Sequence, residues 1–367
     1  MAPENHAAAT RAKESRRFFE KQLDGEQPLL FETASQLYQM AGELFAVQPW
    51  EFLGDGDLIL MKDIESDEIC YCSIMGALGE VISLQVYVGA ESYRFFRKIV
   101  NEEPITPGDF YASIRGVSVE FVTLGGQTAP DRELLDALGH PKKRGMRGPI
   151  FRANRPGYHP WYVTEGEGQL LIHCLRAILA FCSFQLKQTD TDGIDFWEKE
   201  DVFPFLVPER DDKANKRFQI RSVKAPEPPV TGPRPAEVDE DLIALILRQN
   251  LPRQGVLEAD HFFTGAKIGE KNERKACVRM ALVSDADSRF SFRPELGKPE
   301  DATGQLLVLA LLGAMRDGRC VPREVRVLRK EFKILLSTLS ERLGFDVRVT
   351  KSLPALDDFK SHLLAMI

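Results

Sequence analysis

The chain has 367 residues, 43% of them hydrophobic and 28% charged, with a formal net charge of −7. That length is enough for two domains, each with its own core, and the acidic balance argues against a general nucleic-acid binder, which would be basic overall. The cysteines Cys70, Cys72, Cys174, Cys182, Cys277 and Cys320 are scattered, mostly inside apolar runs. This fits reduced, buried thiols in a cytoplasmic protein rather than a disulfide framework.

Residues 1–33 read as a flexible or helical amino-terminal segment. Its first part carries Arg11, Lys13, Arg16, Arg17 and Lys21 around no apolar core, unlike a secretory signal. An amino-terminal α+β domain is expected over 34–223. It begins with a helix at Ala34–Ala46, where Leu37, Met40, Leu44 and Phe45 share one face. Strands follow at Leu58–Lys62, Glu68–Met75 and Val81–Val88, the last two joined at Gly76–Gly79. Glu68–Met75 is apolar on both sides, as a central strand covered on both faces would be. Next come a helix at Glu91–Asn101, a strand at Gly116–Leu124 and a helix at Pro130–Leu138. Strand pieces at Ile150–Arg152 and Trp161–Val163 precede a long helix at Gly168–Lys187, and Val202–Val207 and Phe218–Val223 close the domain. The helix Gly168–Lys187 holds His173 and Arg176, and the apolar run Leu306–Leu312 is far shorter than the ~20 residues a spanning helix needs. Both read as core helices, so no membrane partner is expected.

Residues 224–238, with five prolines, form an expected semi-rigid linker, and 239–367 a carboxy-terminal α/β domain. Its expected elements are a helix at Asp239–Gln249, a strand at Leu257–Thr264, a polar turn at Lys267–Arg274, and strands at Ala276–Ser284 and Arg289–Arg293. A helix starting near Pro299–Thr303 follows, then a strand at Val325–Leu328, a helix at Glu331–Leu343, a strand at Asp346–Val349 and a helix at Leu356–Met366. Strands alternating with helices imply a mixed sheet flanked by helices. From Ala276 onward the element order is that of a ribonuclease-H-like domain, an analogy of order that carries no activity with it.

In such a fold, carboxylates from different strands and a helix converge on metal ions. Asp285 and Asp287 follow a strand, with Glu300 or Asp301 able to join them. A turn role, each Asp bonding its own backbone, explains the same residues more simply. Arg329 stands where the next carboxylate belongs, among Arg323, Arg326, Lys330 and Lys333. These five bases are read as a binding surface for phosphates or an acidic partner, against the plainer reading of a solvated face. A second basic run, Lys142-Lys-Arg144 with Arg147, Arg152 and Arg155, interleaves with His140, Tyr158, His159 and Trp161, a pattern that can stack bases. Cys70 and Cys72 share a strand face, but two thiols do not make a zinc site. His173 and Arg176 read as a polar helix stripe, and Glu165 and Glu167 as helix-entry residues. No cofactor is expected, and no glycine-rich phosphate cradle is present.

Two stretches carry a resemblance. Ile74-Met-Gly-Ala-Leu-Gly-Glu80 with Val86-Tyr-Val-Gly89 resembles an amino-terminal module of unknown function in bacterial proteins. The stretch from Pro322 through Leu343-Gly-Phe-Asp-Val-Arg-Val349 to Ser352-Leu-Pro354 resembles the carboxy-terminal domain often joined to it. The resemblance implies an uncharacterised bacterial two-domain protein and carries over no active site. The leading expectation is a non-catalytic binding or interaction protein of the bacterial cytosol, meeting a protein partner or nucleic acid through local basic patches. The alternative is a metal-dependent hydrolase or nuclease using Asp285, Asp287 and Glu300 or Asp301.

Overall fold

The computed structural model describes residues 26–63, 66–103, 105, 107–140, 145–186, 202–209, 217–224, 233–270 and 273–366. The first twenty-five residues, Lys142–Arg144 and most of the proline-rich stretch lie outside the described residues. The fold is α+β, with helices on two mixed sheets. The chain divides into two compact units: Met1–Ile105 with Ser113–Pro229 and Gly269–Arg274, and Thr106–Ala112 with Val230–Ile268 and Lys275–Ile367.

The first unit is a seven-stranded sheet in the order β5-β4-β3-β2-β1-β6-β7. The strands are β1 (Ile59–Lys62), β2 (Ile69–Met75), β3 (Ser83–Val88), β4 (Gly116–Val122), β5 (Gly148–Asn154), β6 (Val202–Pro208) and β7 (Phe218–Lys224). Every neighbouring pair is antiparallel except β1 and β6. β2 lies in the middle, which explains why both its faces are apolar. Cys70, Cys72 and Ile74 enter the core beneath helices α1 (Phe31–Val47) and α4 (Glu165–Gln185), while Tyr71 enters the core on the other face. There Tyr71 stacks on Tyr93 of α2 (Gly89–Val100), with ring centroids 4.3 Å apart and planes 6° from parallel. A short helix, α3 (Ala129–Ala137), starts with a capping box between Thr128 and Asp131. Helix α4 is long and apolar enough by composition to cross a membrane. Its buried face, Leu171, Ile172, Leu175, Ile178 and Phe181, packs into the first core instead. Trp161–Val163 forms no strand, only a bridge from Trp161 to Ala153.

Backbones approach most closely at Gly116, where a Cβ would lie 1.9 Å from the Val86 carbonyl oxygen. Backbone cannot yield as a flexible side-chain tip can. Gly116→Ala is therefore expected to part β3 from β4 locally and cost about 1–3 kcal/mol or more, read as a lower midpoint in urea unfolding.

The second unit is a five-stranded sheet, β10-β9-β8-β11-β12. Its strands are β8 (Val256–Ile268), β9 (Ala276–Asp285), β10 (Glu295–Gly297), β11 (Glu324–Val327) and β12 (Asp346–Val349). β9 runs antiparallel to both β8 and β10, and β11 runs parallel to both β8 and β12. Helices α5 (Glu240–Arg248), α6 (Thr303–Gly318), α7 (Lys330–Leu335) and α8 (Ser337–Leu343) build the main core on one face around Leu257, Ala259, Val283, Val325 and Val327. Helix α9 (Pro354–Met366) covers part of the other face, where Leu356 meets Leu282.

Several expectations are corrected here. β8 continues to Ile268, so Lys267 is strand rather than turn. Arg289–Arg293 is no strand. Arg289 takes positive φ (59°) in the turn, the ladder survives only as a Ser284–Ser291 bridge, and Pro294, which has no N–H to donate, separates it from β10. Pro299–Ala302 precede α6 rather than open it, held as a turn by Lys298 N–H donating to Asp301 Oδ2 (2.6 Å). The helix expected at Glu331–Leu343 is two helices. Ser337 and Ser340 donate their hydroxyls to the Ile334 and Ser337 carbonyls near the break, competing with the helical ladder.

Candidate functional site

The first strand of the second sheet is β8, one strand earlier than the element order suggested. The carboxylates of that first strand are Glu258 and Asp260, both 2% exposed. Sequence reasoning missed them, although Glu258-Ala-Asp-His261 set inside an apolar run that ends Phe262-Phe263 is a visible signal of buried charge. Alternation puts Glu258 and Asp260 on the face that α9 covers. Glu258 Oε2 accepts from the Ala355 and Leu356 N–H groups of the first turn of α9 (2.8 and 3.1 Å). Burial pushes its carboxyl up, opposed by those two N–H groups and by Arg326. Asp260 Oδ2 is paired with Lys360 Nζ, whose ammonium also lies 4.8 Å over the Phe262 ring, and Asp260 Oδ1 is buried without a partner among the described residues. A helix amino terminus and a lysine thus take up the two acids. Among the described residues, no group of three or more His, Cys, Asp or Glu is spaced to hold a metal ion.

The four acids proposed from sequence do not converge. Asp285 Oδ1 accepts from the Ser288 N–H and hydroxyl (both 2.7 Å). Burial opposes ionisation there, but these bonds win and hold its carboxyl below the usual range. Asp287 is exposed in the same turn. Asp301 and the exposed Glu300 lie near the far end of β9, where the buried Arg279 donates to the Pro299 and Asp301 carbonyls. Six residues of strand separate Arg279 from Asp285, about 20 Å. One ion cannot be shared across that distance.

The basic group divides as well. Arg323, exposed, precedes β11 and donates to the Arg253 carbonyl (3.3 Å). Arg326, mid-strand on the α9 face, pairs with Glu324 (2.8 Å). Arg329 follows β11 at its carboxyl end, where Nη2 donates to the His261 carbonyl (2.9 Å) and the guanidinium lies 4.9 Å over Phe332. Lys330 and Lys333 are exposed beside it on α7. So three of the five bases form one cluster, at the carboxyl end of β11 and beside the middle of β8. The strand order reverses between these two strands, the position where open sheets of this kind hold ligands.

Nearby, His261 is buried and Arg279 Nε donates to its Nε2 (3.3 Å). That geometry requires an unprotonated ring nitrogen. Burial first, then the Arg279 and Arg329 charges, lower the His261 pKa to about 3.

In the first unit the described bases of the basic–aromatic segment, Arg147, Arg152 and Arg155, are engaged internally. Arg152 forms a two-pronged pair with Asp131 (2.9 and 2.6 Å) and lies 4.8 Å over Tyr162. Arg155 pairs with Glu26 and Glu167, and Arg147 donates to the Phe121 and Gly79 carbonyls. Glu167 closes the α4 capping box with Thr164, and Glu165 accepts from Leu30 N–H and Thr33 Oγ1. His173 is buried, 6.0 Å from the Phe218 ring, and is not part of an exposed stripe. Cys174 brings a third thiol to Cys70 and Cys72. Hydrogen bonds with both, and then burial, hold it well above the usual thiol range, so the Cys174 thiol stays neutral and unreactive.

Residues 35–203 match the model of a domain of unknown function (DUF7309), and residues 246–364 match that of a second (DUF6930). No curated protein matches the chain. The chain thus carries one domain of each kind, and is a two-domain protein built from families of unknown function.

Proposed function

We propose that this chain is a non-catalytic binding protein of the bacterial cytosol. Its second unit is a ribonuclease-H-like scaffold in which the acids of the first strand have become structural, and its contact surface is the cluster Arg329, Lys330 and Lys333. The reading is carried by one observation: Glu258 and Asp260 are already neutralised from within, by the start of α9 and by Lys360. Strand order and direction support the likeness, with three antiparallel strands, a helical crossover and two parallel strands on the other side. The free state of all six cysteines supports a reducing compartment.

A phosphate-bearing ligand suits the surface. Arg329 is pinned by His261 and Phe332 with guanidinium donors to spare, and the two lysines add point charge. Nucleic acid is the class to test, through fluorescence anisotropy of a labelled single-stranded oligonucleotide with the full chain. Binding that falls with salt, and falls again in Arg329→Glu with Lys333→Glu, is expected. Equal binding by that variant and the parent would remove the surface from the proposal. Metal-dependent cleavage of an RNA–DNA hybrid, abolished in Asp260→Asn, would overturn the non-catalytic reading.

A further inference from the structure

The outer edge of the second sheet carries a charge pattern with an unusual property. Among the described residues β12 pairs with β11 alone, with Glu324 beside Asp346, Val325 beside Val347 and Arg326 beside Arg348. The Asp346 and Thr350 N–H groups bond the Arg323 and Val327 carbonyls. Even-numbered residues therefore turn their backbone toward β11, and Val347 and Val349 turn theirs outward. Val347 keeps its side chain in the core, on the face opposite Asp346 and Arg348. On the charged face two successive positions set like charges side by side, Glu324 with Asp346 and Arg326 with Arg348, which is unfavourable for directly opposed residues. Arg326 is relieved by Glu324 at 2.8 Å, but Arg348, 67% exposed, reaches the same carboxylate only at 3.8 Å.

We propose that β12 pairs with β12 of a second copy of this chain, antiparallel about a two-fold axis through Val347. In that register Val347 lies opposite Val347, and the two exchange their outward N–H and carbonyl groups. Val349 lies opposite Phe345, whose outward carbonyl accepts from the Val349 N–H. Asp346 lies opposite Arg348 on both sides of the axis, in the positions where antiparallel side chains come closest. Each crowded row then ends on an opposite charge: Glu258, Arg326 and Arg348 are followed by the second copy's Asp346. The register is unique. A slip of one residue sends side chains to the wrong face, and a slip of two sets Asp346 against Asp346 or Arg348 against Arg348. An edge guarded against pairing carries charge of one kind; opposite signs two residues apart are instead self-complementary.

The test is sedimentation velocity of the full chain over a range of concentrations. The parent protein is expected to associate as a dimer, and Asp346→Arg or Arg348→Asp to weaken that association by about tenfold or more, since both cross-strand pairs become repulsive. Mixing the two variants in equal amounts restores association, because every facing pair is again opposite in sign, and Asp346→Arg with Arg348→Asp in one chain restores it as well. Val347→Pro removes the outward N–H without touching the ladder to β11 and abolishes pairing. A parent protein that stays monomeric throughout overturns the proposal. So does a dimer that both single charge variants leave intact, or a mixture that fails to recover.

Discussion

Replacing Lys360 with alanine is expected to destabilise the second unit by about 3–5 kcal/mol, the usual cost of leaving one partner of a buried ion pair behind. Asp260 is 2% exposed, its Oδ1 lacks a partner among the described residues, and Lys360 pairs with its other oxygen. Lys360→Met keeps the aliphatic stem over Phe262 and isolates the charge effect, losing the cation–π contact besides. Removing both charges, as Lys360→Met with Asp260→Leu, should recover most of the loss, because a well-packed apolar pair substitutes for a buried ion pair at little cost. The non-additivity of this cycle in urea unfolding measures the coupling. A loss below about 1 kcal/mol for Lys360→Ala would mean that water reaches Asp260 and that the pair behaves as a surface contact.

Acid sensitivity is the second large effect. The His261 pKa is about 3 in the folded protein, against about 6.5 in an unfolded chain. Below pH 6.5 the unfolded state therefore binds a proton that the folded state refuses, and stability falls as pH falls. The contribution is intact above the unfolded value and is lost progressively down to about pH 3, on the order of 4–5 kcal/mol at the lower limit. His173, whose pKa burial also lowers, acts in the same direction. Urea midpoints measured from pH 7 to pH 4 should decline in the parent protein. In His261→Gln, which can accept from Arg279 but does not titrate, the decline should be shallower. Parallel declines in the two proteins would assign the acid sensitivity elsewhere.

Periodicity located most elements because one-sided burial writes itself into sequence, as the Leu37–Leu44 face of α1 and the two-sided β2 illustrate. What escaped was anything decided across distance. The run Glu258-Ala-Asp-His261 signals buried charge, but the lysine that pairs with Asp260, Lys360, lies a hundred residues further on. Asp285 stood out because it followed a clear strand, yet its bonds close a turn with Ser288. Arg323 and Arg329 look like one patch when counted along the chain, but a strand holds them about 20 Å apart. Cys174 joins Cys70 and Cys72 only because α4 crosses β2 at that height, which no spacing encodes.

The parallel seam of the first sheet has a consequence for how the protein is made. β1 to β5 form a meander whose neighbours in space are neighbours in sequence, so their pairings are local and form early. Leu60 and Met61 then wait for Phe205 and Leu206. At a synthesis rate of about 5–20 residues per second, the intervening chain takes roughly 7–30 seconds to emerge. Throughout that interval the β1 backbone is an open sheet edge carrying Ile59, Leu60 and Met61, residues that end buried. Capture of the β6–β7 hairpin by this edge is thus the closing step of the domain. Until then the nascent chain offers chaperones, or another unfinished copy, a hydrophobic strand to bind.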